Sequence, residues 1–235
     1  MKGTEHIVVL TGAGISADSG LSTFRDADGL WAQHRLEDVA TPQAFARDPD
    51  LVHRFYNTRR VQAAEAKPNA AHAALARLQA EWRGQVMLVT QNVDGLHEAA
   101  GADVIHMHGA LARALCAACD HRWDAQPEMS LKDACPSCGT RAVRPDVVWF
   151  GEMPYHMEQI VQAVQTRDLF AAIGTSGQVY PAAGFVEEAR LIGAATVELN
   201  LNDSDMSHAF DEHITGPASA TVPDWVDRLL ADARG

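Results

Sequence analysis

The apolar run Ile7-Val8-Val9-Leu10 leads directly into Gly12, Gly14 and Ala17, the spacing G-x-G-x-x-A. A strand that ends in such a turn is confined to few folds. The glycines let the backbone turn tightly and approach a pyrophosphate, whose charge then faces a helix N-terminus. Three small residues after an apolar run also make an ordinary strand-to-helix turn, so the motif alone leaves both readings open. A redox dinucleotide unit would place an acidic residue about 20 residues further on, at the end of a second strand. Here that region reads FRDADGLW over 24–31, with Asp26 and Asp28 in loop-like sequence. The spacing therefore allows NAD, in an unusual pose.

Further short apolar runs read as buried strands: 86–90, 169–175 and 196–201. Helical patterns lie between them at 69–82, 155–166, 181–193 and 222–233. Asn69 suits an N-cap, Pro181 a helix start and Gly193 a left-handed end, and the last helix carries Trp225, Leu229 and Leu230 on one side. The alternation predicts an α/β fold, a Rossmann-like parallel sheet with helices on both faces. Two stretches break the rhythm. Residues 32–66 show a helical pattern and no strand, and residues 112–144 carry all four cysteines. Both read as inserts forming a small zinc-ribbon and helical domain, beside a cofactor-binding domain built from 1–31, 67–111 and 145–235.

The cysteines follow C-x2-C-x15-C-x2-C: Cys116, Cys119, Cys135 and Cys138. Four thiolates at this spacing close a tetrahedral shell around one structural Zn2+ and leave no position for water. A net charge of −12 and a pI near 5.3 speak against general binding of nucleic acid or of an anionic membrane. No apolar stretch approaches the ~18 residues of a membrane span, no secretory signal is visible, and the cysteines read as reduced, so a cytoplasmic location is expected.

Set beside 11-TGAGISADSGLSTFRD-26, the stretches 91-QNVD-94, 106-HMHG-109, 145-PDVVWFGEMP-154, 174-GTS-176 and 177-GQVYPAAGF-185 resemble the sirtuins, NAD-consuming protein deacylases, over nearly the whole chain. The likeness is greatest to the bacterial CobB-type members of class III. It implies cleavage of the bond between nicotinamide and ribose with transfer of an acyl group from lysine, and acylated-lysine proteins or peptides as partners. By resemblance, Asn92 and Asp94 line the nicotinamide pocket, and Gln91 and Asn92 help set the ribose. Phe24 shields the reactive carbon and Arg25 orders the cofactor loop. Gly174, Thr175 and Ser176 meet phosphates, while Asn200, Leu201, Asn202 and Ala218 run along the adenosine end. Gly12, Ala13, Gly14, Ile15, Ser16, Asp18, Thr23, Trp31 and Val93 complete the cofactor contacts. His108 is the expected general base, since a neutral imidazole can accept a hydroxyl proton near pH 7. His106 would face the opposite way if this stretch is extended.

Tyr56 and Arg59, at i and i+3, share one helical face, while Arg60 points elsewhere. In class III members such a pair reads the distal carboxylate of succinyl- or malonyl-lysine, and Ala40 matches a small residue that leaves space for the longer acyl chain. Val148, Trp149, Phe150, Gly151 and Glu152 on one side, with Gly177, Gln178, Val179 and Tyr180 on the other, have the composition to take the peptide as an added strand. Two other functions fit parts of the sequence: mono-ADP-ribosylation of protein, and a zinc-ribbon interaction module fused to a cofactor sensor.

Overall fold

The computed structural model describes residues 5–21 and 35–233. In chain order the strands are β1 (His6–Thr11), β2 (Gln85–Thr90), β3 (Val104–His106), β4 (Gly109–Cys116), β5 (Arg122–Asp124), β6 (Val143–Val147), β7 (Leu169–Ile173), β8 (Ala195–Asn200) and β9 (Glu212–Thr215). The helices are α1 (Leu36–Val39), α2 (Pro42–Arg47), α3 (Pro49–Glu65), α4 (Ala70–Glu81), α5 (Leu96–Ala99), α6 (Met157–Val164), α7 (Phe185–Leu191) and α8 (Ala218–Asp232).

Six strands form one parallel sheet in the order β3-β2-β1-β7-β8-β9. Its central strands are apolar at successive positions because both faces are covered. Ile7 and Val9 point into a core shared with α4 and α8, which includes Leu75, Leu78, Trp225 and Leu229. Val8 and Leu10 point into a second core with Ile160 and Val164 of α6 and Phe185 and Val186 of α7. Fully burying one such aliphatic side chain stabilises the fold by roughly 1.5–3 kcal/mol.

Among the described residues no strand lies between β1 and β2. Helices α1 to α4 occupy that part of the chain, and α1, α2 and α3 pack Val39, Ala40, Ala44, Val52, Phe55 and Tyr56 against Leu111 of β4 and Val147 of β6. Strands β5, β4 and β6 make a separate antiparallel sheet that carries the cysteines. Arg60 of α3 fastens the two together. Its buried guanidinium donates to the carbonyls of Leu111 at 2.8 Å and Pro127 at 3.3 Å, to Asn57 Oδ1 at 2.8 Å and to Met129 Sδ at 3.2 Å.

Local signals account for several boundaries. Asn69 caps α4 by accepting from the Ala71 amide at 2.9 Å, and Gly193 ends the α7 region with a φ of 79°. The expected helix over 181–193 is split into a 3-10 turn at Ala182–Gly184 and α7. The last helix starts at Ala218 rather than 222, so Pro223 lies inside α8.

Candidate active site

The strand order reverses between β1 and β7, and ligands of such sheets bind in the crevice beyond the carboxyl ends at that switch point. The two loops leaving these strands are interlocked. The amide of Gly12 donates to Ile173 O at 2.9 Å, and that of Gly14 to Gly174 O at 2.9 Å. A Cβ on Gly14 would lie 2.7 Å from the Gly174 Cα, and one on Gly174, whose φ is 62°, would lie 2.5 Å from the Ile15 amide nitrogen. The glycines thus serve a backbone-to-backbone approach at the base of the crevice. After Gly12 the chain enters a 3-10 helix, Ala13–Ser19, in place of a full crossover helix.

The QNVD segment leaves β2 beside this turn. Asn92 Nδ2 donates to Gly12 O and to Ser16 Oγ, both at 3.1 Å, and Ser16 Oγ donates to Asp94 Oδ2 at 3.1 Å. Asp94 Oδ1 accepts from the Leu96 amide. Ser16, Asn92 and Asp94 are all buried, so the crevice floor carries polar groups with fixed orientations. Ile15 is fully buried with its carbonyl bound by Asn69 Nδ2 at 2.8 Å, and the Val93 carbonyl takes the Leu111 amide at 2.8 Å.

His106 and His108 differ in protonation. Strand β3 stops at His106, so the expected side-chain alternation of an extended stretch does not reach His108; backbone partners separate the two rings instead. His106 Nδ1 lies 2.9 Å from Asn92 O and its Nε2 lies 2.6 Å from Glu98 Oε1, two acceptors that together call for an imidazolium. Burial pulls its pKa down, but the hydrogen bond and charge of Glu98 outweigh burial, and the net direction is upward. His108 Nδ1 lies 3.1 Å from Gln91 O. A carbonyl only accepts, so Nδ1 carries the proton and Nε2 presents a lone pair. Burial, partly offset by that hydrogen bond, holds the His108 pKa below the usual histidine value, so the ring is neutral at pH 7.

At the other end of the crevice, Asn200 Nδ2 donates to Thr175 O at 2.7 Å and the Asp205 amide to Ser176 O at 3.1 Å, joining the loops after β7 and β8. Leu201 and Asn202 are exposed there. Asp18 accepts from Ser219 Oγ at 2.6 Å, which ties the glycine turn to the start of α8 next to the buried Ala218. Thr23, Phe24, Arg25, Asp26, Asp28 and Trp31 lie outside the described residues.

Tyr56 is buried, and its hydroxyl accepts from Trp149 Nε1 at 3.0 Å. Burial pushes the phenol up to about 12, so it stays protonated and able to donate. The half-buried Arg59 is one turn on, within electrostatic reach of Tyr56 and Asp94. Ala40 is buried, and its carbonyl accepts from the Phe150 amide at 3.0 Å. Residues 148–152 form the turn that leaves β6, not a strand. The Val148 amide goes to His108 O at 2.9 Å, and Gly151 has a φ of 91°. Phe150 and Tyr180 are exposed, and the Val179 carbonyl takes the Ala183 amide. The Glu152 carboxylate is engaged within the protein, by Arg144 at 2.6 and 2.9 Å and by the Trp149 amide at 2.8 Å. The sequence reading placed Trp149 along the peptide but not against Tyr56, and it missed Arg144 as part of this site; a buried indole N–H needs an acceptor, and that requirement pointed to a partner.

The four cysteine sulfurs lie within 4.8 Å of one another, with Cys116–Cys138 at 3.7 Å and Cys119–Cys135 at 3.8 Å. A tetrahedron with Zn–S bonds of about 2.3 Å has S···S edges of about 3.8 Å. The donor set fits one structural zinc and leaves no open position for catalysis.

A family model described as the Sir2 family matches residues 12–181. The NAD-dependent protein deacylase of Bdellovibrio bacteriovorus is 54% identical over 230 residues, covering 96% of this chain and 97% of that protein. The NAD-dependent protein deacylase of Escherichia coli K12 is 55% identical over 229 residues, covering 96% and 82%. A crystal structure of a Sir2 homologue in complex with NAD superposes with a TM-score of 0.87 at 37% identity, covering 99% of this chain and 90% of the other. A Sir2 structure bound to acetylated peptide gives a TM-score of 0.81 at 25% identity, covering 99% and 94%. With more than half of its residues shared along nearly the full length of such relatives, and with the glycine turn, the QNVD segment and His108 gathered at one switch point, this chain belongs to the Sir2 family.

Proposed function

We propose that this protein is an NAD-dependent protein-lysine deacylase that removes succinyl, malonyl and acetyl groups and releases nicotinamide and O-acyl-ADP-ribose. The observation that carries the reading is His108: a neutral ring with Nδ1 committed to Gln91 O and Nε2 left as an acceptor, beside the Asn92–Ser16–Asp94 floor. Bound NAD supplies an electrophilic ribose carbon whose bond to nicotinamide breaks. The chain's own residues do the rest. The buried polar floor orients and keeps water from the reacting end, with Asn92 and Asp94 offered to the carboxamide and ribose. Gln91, through its carbonyl, fixes the tautomer of His108, and His108 Nε2 takes a proton from a ribose hydroxyl. His106 supports Asn92 from behind through its carbonyl. Gly174, Thr175 and Ser176 hold phosphates; Asn200, Leu201, Asn202 and Ala218 hold the adenosine end.

For the acyl group, a protonated phenol beside a guanidinium, over a small Ala40, favours a chain ending in a carboxylate. The peptide lies between residues 148–152 and 177–180. In this reading 1–31, 67–111 and 145–235 form the cofactor-binding domain, 32–66 and 112–144 the small one, and the protein acts in the cytoplasm. No helix among the described residues is long and apolar enough to cross a membrane.

The test is turnover of one peptide bearing acetyl-, malonyl- or succinyl-lysine, read by mass spectrometry with NAD present. Free lysine with O-acyl-ADP-ribose is expected; intact NAD without free nicotinamide defeats the assignment, and ADP-ribosylated protein would replace it. Arg59→Met should lower desuccinylation more than deacetylation, and equal losses would assign Arg59 to folding or cofactor binding.

A further inference from the structure

Trp149 is 2% exposed and sits at the centre of a chain of directed contacts. Its indole N–H donates to Tyr56 OH at 3.0 Å. The Arg144 guanidinium lies over its ring, 3.5 Å from the centroid, and the Phe45 ring is 5.2 Å away. Its backbone amide is held by Glu152, whose carboxylate also grips Arg144 with two bonds. Arg144 in turn donates to Val147 O at 2.9 Å. The ring is therefore held by aromatic and cationic neighbours and anchored at its backbone.

An indole N–H can only donate, so the Tyr56 oxygen acts as acceptor in this pair. A phenol has one proton of its own. With Trp149 occupying a lone pair, that proton cannot be turned toward Trp149 and remains for another acceptor. We propose that Trp149 is a positioning residue for acyl selectivity: its N–H sets the rotamer of the Tyr56 hydroxyl, so that the phenolic O–H serves the distal carboxylate of an acidic acyl chain. The inference rests on the reading of Tyr56 and Arg59 as the carboxylate site. An acetyl group has no such carboxylate, so the effect falls on the preference between substrates. Fixing the donor in advance removes an ordering cost that would otherwise weaken binding of the longer chain.

The experiment measures kcat/KM for succinyl- and acetyl-lysine forms of one peptide in wild type, Trp149→Phe, Tyr56→Phe and the double variant. Trp149→Phe keeps an aromatic ring and removes the donor. The succinyl-to-acetyl ratio should fall roughly three- to tenfold, the scale of one neutral hydrogen bond. The double variant should have the ratio of Tyr56→Phe alone, because the donor acts only through that hydroxyl. A pure packing role would lower both substrates together and would add to Tyr56→Phe. If Trp149→Phe does not fold, benzothienylalanine at position 149 keeps the bicyclic shape without the N–H and should lower the ratio likewise. An unchanged ratio in the position-149 variant while Tyr56→Phe lowers it, or additive effects, overturns the inference. An unchanged ratio in Tyr56→Phe overturns the carboxylate reading itself, and the inference with it.

Discussion

His97 lies 1% exposed beneath the crevice floor, with Nε2 3.0 Å from Thr11 Oγ1. The Thr11 hydroxyl proton goes to Thr90 Oγ1 at 2.9 Å, so Thr11 accepts from His97 and Nε2 carries the ring proton. Nδ1 is buried with no hydrogen-bond partner among the described residues, and the His72 ring is 4.9 Å away, edge-on. Burial first, and His72 next, push the pKa down to about 3. An unfolded histidine titrates near ~6.5. Between these values the unfolded chain binds a proton that the native state refuses. Stability is therefore complete above that window and declines as pH falls through it, by about 1.4 kcal/mol per pH unit and about 5 kcal/mol across the whole of it. From pH 7 to pH 5 the loss from this one side chain is about 2 kcal/mol. Urea unfolding followed by tryptophan fluorescence at pH 7, 6 and 5 measures it, with His97→Gln as the non-titrating control. Stopping at pH 5 limits the competition of protons for the cysteine ligands, which grows as pH falls. His97→Gln will alter stability at neutral pH for packing reasons, so only the slope matters. Its slope should be shallower than that of wild type by about 1 kcal/mol per unit between pH 6 and 5. Parallel slopes would show that the native ring takes up its proton as readily as the unfolded one, and the tautomer argument would fail.

His108→Ala should abolish acyl-lysine turnover while leaving the far-UV circular dichroism and the urea midpoint near wild type; near-normal turnover would remove His108 from the chemistry. Because burial keeps His108 neutral below its ordinary pKa, kcat/KM should hold as pH falls through ~6.5 and decline only further into acid; an acid limb centred above that value would contradict the geometry. Displacing metal with a mercurial should release about one zinc per chain and melt the sheet of β5, β4 and β6, as seen by amide exchange confined to that sheet; no released zinc would refute the site. Arg60→Met strands the Leu111 and Pro127 carbonyls next to an apolar chain and should cost about 2–4 kcal/mol in urea unfolding; a loss under about 0.5 kcal/mol would mean that those bonds carry no net weight.

Strands with both faces covered were readable because their inner positions are apolar in succession: residues 7–10 of β1 and 169–173 of β7 stand out from their sequences alone. Strand β9 did not, since EHIT lies at the sheet margin with three of its four side chains exposed and no apolar run to mark it. The start of α8 was hidden by Pro223, which reads as a helix beginning but sits within a helix already under way, forfeiting one backbone bond. Cysteine spacing predicted the sulfur cluster because chelation demands that spacing locally. The protonation difference between His106 and His108 had no sequence signal. It depends on which acceptors each ring meets, and the carbonyls among them come from Gln91 and Asn92, brought there by the neighbouring strand. Likewise Arg60, which the helical spacing sets only on a face other than that of Tyr56 and Arg59, turns inward because a loop 67 to 69 residues further along the chain supplies acceptors.

The parallel sheet is closed at its margins by β3, of three residues, and β9, of four. Neither is long enough to template another chain. Extended polypeptide arriving from solution therefore finds little foothold on either flank. A molecule whose proposed work is to seize tails of other proteins can in this way remain open to guests without becoming sticky toward its own kind.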